Sequence, residues 1–174
     1  YVREQLANGN TLFNSLDNMP DGMGADRMAA IYEASRLYPQ GKLMVFDFGT
    51  ATTVEFIDSS HYEGGSISLG LATRYRALAH FTQKIPLLRP MDFMKNHTLG
   101  DISTVGYDLD TALASGNILG IKFEIEGYMA ANPDRKVILT GGDAVFYAGH
   151  LSKEVRHEQH LVGNGLAHIA MNNE

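Results

Sequence analysis

The stretch KLMVFDFGTATTVEFID, residues 42–58, predicts two β-strands joined by a tight Gly-Thr turn. Its first run, Leu43 to Phe46, is continuously apolar, as a strand buried on both faces should be. Its second run, Thr53 to Ile57, is rich in β-branched and aromatic residues, which favour strands. The following DSSHYEGGSISLG, residues 58–70, adds a hairpin turn and a third strand. We therefore expect an antiparallel meander that begins a mixed sheet.

Helical patterns surround this meander. The clearest one runs from about Ala25 to Tyr38 and is stopped by PQG at residues 39–41. Residues 86–104 are predicted to form a long loop, and RKVILTGGDA, residues 135–144, a buried strand that enters a glycine turn. Further helices are predicted over residues 70–82, 108–132, 144–151 and 160–173. The sum is an α/β fold with helices packed on a mixed sheet, after irregular chain over residues 1–23.

Composition and charge exclude several classes of protein. Of the 174 residues, 44% are hydrophobic and 20% are charged, which is typical of a globular protein. The net charge of -6 argues against nucleic-acid binding, which needs a basic face. No apolar run approaches the roughly 20 residues of a membrane span. Because the chain has no cysteine, disulfides, thiolate zinc sites and a cysteine nucleophile are excluded. We expect a cytoplasmic protein with no membrane or nucleic-acid partner.

Three glycine-bearing turns follow apolar strands: DFGTATT at residues 47–53, YEGGSIS at residues 62–68 and LTGGDA at residues 139–144. Glycine in such a turn lets the backbone approach a phosphate or a nucleotide closely. Neighbouring threonine hydroxyls and backbone amides can then donate hydrogen bonds to it. A single glycine turn ordinarily has no ligand role. With three such turns, a nucleotide site and purely structural turns are equally good interpretations.

Asp47 stands where the buried strand of residues 43–46 opens into a turn. A carboxylate there is costly unless it is paired, hydrogen-bonded or bound to a cation. One interpretation is a turn cap that accepts hydrogen bonds from the amides of Gly49 and Thr50. The other is a cation site, although no second acid lies close in sequence to indicate a strong divalent site.

Asp26 and Arg27 form the first charged pair of the helix predicted from Ala25, directly after the turn MPDGMG at residues 19–24. One interpretation is structural, because the helix dipole favours an acid in the first turn and the arginine can simply be exposed. The functional interpretation is a general base that takes a proton from a substrate hydroxyl, beside an arginine that binds a substrate carboxylate.

Two other features are structural by pattern. Thr111 lies in the first turn of a helix that Asp108 or Asp110 can cap. His157 and His160 have helical spacing, but on a polar segment they are expected to be solvated.

Six motifs follow one another along the chain: GADR (24–27), DFGTATT (47–53), GGSISLGL (64–71), RYRALAHFTQKIPL (74–87), DTALASGNILG (110–120) and LTGGDA (139–144). In this order they resemble type III pantothenate kinases, from about Pro20 to the C-terminus. The resemblance implies two ribonuclease H-like domains of the acetate-kinase, sugar-kinase, Hsp70 and actin superfamily, closing around ATP. It also implies phosphorylation of pantothenate, the first step toward coenzyme A, with ATP, Mg2+ and a monovalent cation, K+ or NH4+.

The resemblance assigns the substrate side to two places. Gly24, Ala25, Asp26 and Arg27 would form the turn that binds pantothenate, with Asp26 as general base and Arg27 facing the substrate carboxylate. A base suits this chemistry, because the attacking primary hydroxyl loses its proton while the remaining work is positioning and charge neutralisation. Thr111 would contact the pantothenate of the neighbouring subunit in a homodimer.

On the nucleotide side, the resemblance assigns the monovalent cation to Asp47. Thr50, which follows Gly49, would contact ATP. Gly141 and Gly142 would form a second turn near the nucleotide.

The chain also departs from the family pattern. The D-x-G-N-[ST] phosphate turn is not found, since NGNT at residues 8–11 lacks the acid and the preceding strand. Asp17 stands where a substrate-contacting Tyr is expected, and Leu69 where a Pro is expected. We interpret residues 1–40 as a remnant of the first actin-like domain with the interdomain helix, and residues 41–174 as the second actin-like domain. The chain is expected to belong to a longer protein and to be inactive alone.

Two alternatives stay open at this point. One is a non-catalytic, regulatory relative that binds a ligand or a protein, which the missing phosphate turn favours and the retained Asp26, Asp47 and Thr50 oppose. The other is an actin-like kinase for another small hydroxy compound. Binding and phosphorylation of pantothenate by the full-length protein would separate these readings.

Overall fold

The computed structural model describes residues 18–171, and its centre is a five-stranded mixed sheet in the order β3-β2-β1-β4-β5. The strands are β1 (Lys42–Phe48), β2 (Ala51–Asp58), β3 (His61–Leu69), β4 (Lys136–Gly141) and β5 (Arg156–His157). The first three form an antiparallel meander, whereas β4 pairs parallel with β1 and β5 pairs parallel with β4. The predicted α/β class and the meander are therefore confirmed. NGNT at residues 8–11 and Asp17 lie outside the described residues.

Within residues 18–171, seven α-helices flank the sheet. They are α1 (Ala25–Leu37), α2 (Leu71–Phe81), α3 (Pro90–Met94), α4 (Leu109–Leu113), α5 (Gly120–Ala131), α6 (Ala144–Ala148) and α7 (Leu161–Met171). A π-helical turn, Ala114–Leu119, joins α4 to α5, so the long helix predicted over residues 108–132 is confirmed. No helix within residues 18–171 is both long and apolar enough to cross a bilayer.

The prediction of a long loop over residues 86–104 is wrong in part. This segment contains α3 and a 3-10 turn, Leu99–Asp101. The physical reason is local, because Pro90 is pre-organised for the first helical position and Thr98 forms a capping box with Asp101. Both elements are too short to show an apolar period in the sequence.

The two faces of the sheet carry separate cores. On one face Leu43, Val45 and Ile57 pack against α1. On the other face Met44 and Phe46 pack under α2, α5 and α6. Successive side chains of a strand point to opposite faces of the sheet, so the position of a polar residue in its strand determines the face on which it lies.

Alternation places several polar side chains, among them Asp47, Glu55 and Thr140, on the face covered by α1. Asp47 shares that face with Val45, two residues earlier in β1. The sheet register pairs Val45 with Glu55 and Asp47 with Thr140. The carboxyl ends of the parallel strands β1 and β4 therefore meet beside the start of α1, where open α/β sheets place ligands.

Helix α7 packs closely on α1. A Cβ atom added at Gly165 would clash with the carbonyl oxygen of Ala29 and lie 2.8 Å from its carbonyl carbon. At the same interface the buried Glu33 carboxylate accepts hydrogen bonds from Arg36 (2.8 and 2.9 Å), and His168 Nδ1 lies 2.9 Å from it. Burial alone would raise the pKa of Glu33, but these hydrogen bonds together lower it.

The division of the chain into two actin-like domains at residue 40 stays a prediction.

Gly165→Ala is expected to lower the free energy of unfolding by about 1–3 kcal/mol, because the added methyl overpacks the α1–α7 contact. Gly163→Ala on the same helix is the matched control, since a Cβ there has no neighbour within 4 Å. The control should raise stability by up to about 1 kcal/mol through helix propensity. Urea unfolding of both variants measures the difference, and equal stabilities would contradict the close packing.

Candidate active site

The first turn of α1 presents Asp26 at the edge of the sheet. Gly24 is the N-cap residue and Ala25 is the first helical residue. The exposed Asp26 carboxylate folds back, and its Oδ1 accepts a hydrogen bond from the Arg27 backbone N–H at 2.9 Å. A Cβ atom at position 24 would lie only 2.5 Å from Asp26 Oδ1. Glycine at this position therefore leaves room for the carboxylate, which faces solvent at the positive end of the helix dipole.

Arg27 points into the sheet, where it forms an ion pair with Glu55 of β2. Its Nε donates to Glu55 Oε1 at 2.6 Å and its Nη2 donates to Oε2 at 2.9 Å. Glu55 is 1% exposed, and the Arg27 side chain is 20% exposed. The hydrogen bond to Glu55 raises the pKa of Arg27 although burial opposes it. The structure thus places Arg27 beside Asp26 but holds half of its guanidinium against a protein carboxylate.

Asp47 lies half-buried at the end of β1. Within residues 18–171 no donor bonds to its carboxylate, and the Gly49 N–H donates to the Ala51 carbonyl instead (2.9 Å). Burial raises the pKa of Asp47, and the nearby carboxylates of Asp26 and Glu55 raise it further. An unpaired carboxylate in this setting does not fit the turn-cap interpretation, and it suits a bound cation. In the described residues no group of three or more His, Cys, Asp or Glu side chains could hold a metal ion.

Hydrogen bonds to its backbone hold the turn after β1 in place. The Thr50 carbonyl accepts hydrogen bonds from the Gly70 N–H (3.1 Å) and the Thr73 hydroxyl (2.7 Å). A Cβ at Gly70 would clash with the Gly49 carbonyl oxygen, so the chain at Gly70 must pass close to this turn. The Thr50 side chain is left exposed, three residues after Asp47.

The turn after β4 lies next to Asp47. Gly141 has a φ of +91°, and a Cβ there would lie 2.5 Å from both Asp47 Oδ1 and the Phe48 N atom. Gly141 and Gly142 also line a cavity of about 340 Å³ whose other walls include His157, Gln159 and His160. The two histidines are exposed, as the sequence predicts, but His157 belongs to β5 rather than to a helix. The predicted glycine turn therefore borders this cavity and lies close to Asp47.

Thr111 lies on the other face of the sheet, in α4. Asp108 caps this helix, and the Thr111 hydroxyl completes the capping box. It donates to Asp108 Oδ1 at 2.6 Å and accepts from the N–H groups of Tyr107 (3.0 Å) and Asp108 (3.1 Å). It also lines a cavity of about 200 Å³ with Phe93 and His97. In one chain, therefore, Thr111 is not brought to Asp26.

Thr111→Val is expected to lower the free energy of unfolding by about 1 kcal/mol, because it removes the hydroxyl from the capping box. Thr111→Ser keeps that hydroxyl and should unfold close to the wild type. Urea denaturation of the two variants tests this, and a valine variant as stable as the serine variant would remove the cap from the account of this helix.

A comparison of the sequence with known protein families identifies the family of this chain. The family described as type III pantothenate kinase matches residues 5–131. The chain belongs to this family. It is 38% identical to the type III pantothenate kinase of Bacteroides fragilis over 160 residues, and 39% identical to that of Cytophaga hutchinsonii over 141 residues. These matches cover 89% and 78% of this chain but only 63% and 57% of the relatives.

Solved structures of other proteins share the fold of this type III pantothenate kinase family member. A Campylobacter jejuni protein described as a Baf family transcriptional activator superposes with a TM-score of 0.64 at 25% identity, covering 90% of this chain and 67% of that one. A Sinorhizobium meliloti protein described as a 2-dehydro-3-deoxygalactonokinase gives 0.54 at 17% identity, covering 84% and 59%. The fold is the ribonuclease H-like fold of the actin-like ATPases and sugar kinases.

Two residues beside Arg27, Glu55 and Tyr62, are not among those predicted from the sequence. Glu55 holds Arg27, and the Tyr62 hydroxyl donates to Glu55 Oε2 at 3.0 Å. A signal for Glu55 exists, since a charged residue inside the strand TTVEFI is rarely buried without a partner. No comparable signal marks Tyr62, because a buried tyrosine in a strand is ordinary.

Proposed function

We propose that the full-length protein transfers the γ-phosphoryl group of ATP to the primary hydroxyl of pantothenate, giving 4'-phosphopantothenate, the first step of coenzyme A biosynthesis. The observation that carries this proposal is the meeting of Asp26, Arg27 and Asp47 at one sheet edge in a member of this kinase family. An exposed carboxylate can serve as a base, a fixed guanidinium can bind the carboxylate of a hydroxy acid, and an unpaired half-buried carboxylate can hold a cation.

The proposed step uses Asp26 as general base. The hydroxyl O–H bond breaks as its oxygen forms a bond to the γ-phosphorus, and the proton passes to the Asp26 carboxylate. The bond between the γ-phosphorus and the bridging oxygen breaks, and ADP leaves. Because Asp26 is exposed at the helix terminus, a substrate hydroxyl can reach it.

The other groups are proposed to position the reactants. Asp47 holds K+ or NH4+ beside the phosphates, and Mg2+ accompanies ATP. Thr50 and Gly49 contact the nucleotide from one turn. Gly141 and Gly142 contact it from the other.

A homodimer in the cytoplasm is part of the same proposal. Thr111, which one chain does not bring to its own Asp26, reaches the pantothenate of the partner subunit in this proposal. Three apolar side chains close to Thr111 in sequence support a subunit contact, since Val105, Tyr107 and Leu109 are 79%, 102% and 43% exposed. Such a run of exposed apolar residues fits an interface.

The test is ATP consumption by the full-length protein with a panel of small hydroxy acids, at equal ionic strength with potassium or choline. Potassium-dependent turnover with pantothenate above the other acceptors is expected. Turnover with another acceptor only would indicate a kinase of different specificity.

A non-catalytic regulatory relative is the second candidate. It is supported by the described transcriptional role of the Campylobacter jejuni structure, at 25% identity. A folded full-length protein that binds ATP or pantothenate without turnover would favour it.

A further inference from the structure

The Arg27 cluster, formed by Arg27, Glu55 and Tyr62, joins the start of α1 to strands β2 and β3. Glu55 takes the Nε and Nη2 groups of Arg27, which is a side-on bidentate ion pair. Among the described residues nothing accepts a hydrogen bond from the third guanidinium nitrogen, Nη1. One edge of the Arg27 guanidinium is thus fixed by Glu55, and within residues 18–171 the Nη1 group has no protein acceptor.

Tyr62 closes the cluster on the β3 side. Its hydroxyl donates to Glu55 Oε2 at 3.0 Å and accepts from Arg27 Nη2 at 3.2 Å. Burial, together with the Glu55 charge, raises the pKa of Tyr62 to about 12. The phenol therefore stays neutral at physiological pH and adds no charge to the ion pair.

The backbone of β3 packs tightly against this cluster. A Cβ at Gly65, which pairs with Glu55 in the sheet, would clash with Glu55 Oε2. The same atom would lie 2.6 Å from the Val54 carbonyl oxygen and 3.0 Å from Arg27 Nη2. Close packing of this kind holds a side chain in one orientation.

We propose that Glu55 is a positioning residue that fixes Arg27 so that Nη1 meets the carboxylate of the substrate, and thereby sets the preference for a carboxylate-bearing acceptor. The inference rests on the proposed pantothenate kinase function. A bidentate partner removes the rotamer freedom of the arginine before substrate arrives, which lowers the entropic cost of binding. Glu55 does not touch the substrate in this account and acts only through Arg27.

The experiment compares wild type with Glu55→Gln in the full-length protein. Pantothenate and panthenol, in which a hydroxymethyl group replaces the carboxylate, serve as acceptors. Glutamine keeps the shape but presents an amide NH2 to the guanidinium. We expect the pantothenate KM to rise by about 10-fold, the order of the entropic cost of immobilising one long side chain on binding. The panthenol KM, the ATP KM and kcat should change by less than about 2-fold.

Two further variants guard against a purely structural effect. Glu63→Gln is the matched control, because it alters the ion pair of another arginine, Arg135, outside the Arg27 cluster and leaves Glu55 in place, so it should retain the preference for pantothenate. Glu55→Asp keeps the charge and should show a smaller rise in pantothenate KM than Glu55→Gln. If Glu55→Gln does not fold, Glu55→Asp carries the test.

A double-variant cycle tests whether Glu55 works through Arg27. With Arg27→Met already present, Glu55→Gln should raise the pantothenate KM no further. An equal rise in both backgrounds, or an unchanged acceptor preference in folded Glu55→Gln and Glu55→Asp, would overturn the positioning role alone. A wild-type protein that phosphorylates no pantothenate would overturn the proposed function and this role with it.

Discussion

Asp26→Asn is expected to lower kcat for pantothenate phosphorylation in the full-length protein by roughly 100- to 10,000-fold, the usual contribution of a general base. Asparagine has nearly the same shape and can still accept the hydrogen bond that Asp26 Oδ1 accepts from the Arg27 N–H. It cannot take the proton of the attacking hydroxyl. ATP affinity should stay close to the wild-type value, since Asp26 is assigned to the acceptor side of the site.

Single-turnover rates and ATP binding by calorimetry are the measurements for this variant. Asp92→Asn is a matched control, because Asp92 is also an exposed acid in the first turn of a helix and forms an ion pair with Lys95 (2.6 Å). The control should retain wild-type kcat. An Asp26→Asn enzyme within a few-fold of the wild-type rate would remove Asp26 from the base role.

Asp47→Asn is expected to weaken potassium activation and at the same time to stabilise the fold. Loss of the carboxylate should raise the potassium concentration for half-activation by roughly 10-fold or more, as when groups that surround a bound metal are removed. The stability change has the opposite sign to the functional one. A carboxyl group whose pKa is raised by folding favours its protonated form, so the ionised form costs stability at neutral pH.

The pH dependence of that stabilisation follows from the direction of the shift. The cost of ionised Asp47 is full above its raised pKa and fades as pH falls through that pKa toward the ordinary value of 3.8. At pH 7 without potassium, Asp47→Asn should therefore be more stable than wild type by roughly 0.5–2 kcal/mol. Urea unfolding at pH 7 and pH 5, in choline or potassium chloride, measures this. Unaltered potassium activation would leave Asp47 with no cation role.

The fold could be predicted wherever the apolar period was long. Leu43 to Phe46 and Thr53 to Ile57 indicate strands directly, and both lie within observed strands. Strand β5 could not be predicted, since its two residues, Arg156 and His157, owe their conformation to pairing with β4. The same limit applies to α3, whose five residues complete barely one turn.

Candidate site residues could be named from the sequence one by one, but their arrangement could not. Local pattern identified Asp26 and Asp47 as candidates, and left each with a structural alternative. Their mutual proximity depends on how α1 packs on the sheet, which no local pattern shows. The partner of Arg27 is 28 residues away in sequence, and only the register of β2 and the glycine at position 65 bring Glu55 to it. The sequence therefore leaves Arg27 either exposed or bound to a substrate carboxylate, whereas the structure pairs it with Glu55.

The most direct test of the central claim is product formation by the full-length protein. ATP and pantothenate are incubated with enzyme in potassium chloride or choline chloride, and 4'-phosphopantothenate is measured by mass spectrometry. The account predicts potassium-dependent product from wild type and almost none from Asp26→Asn. A folded wild-type protein that binds ATP and pantothenate but makes no product, or an Asp26→Asn variant that makes as much as wild type, would contradict it.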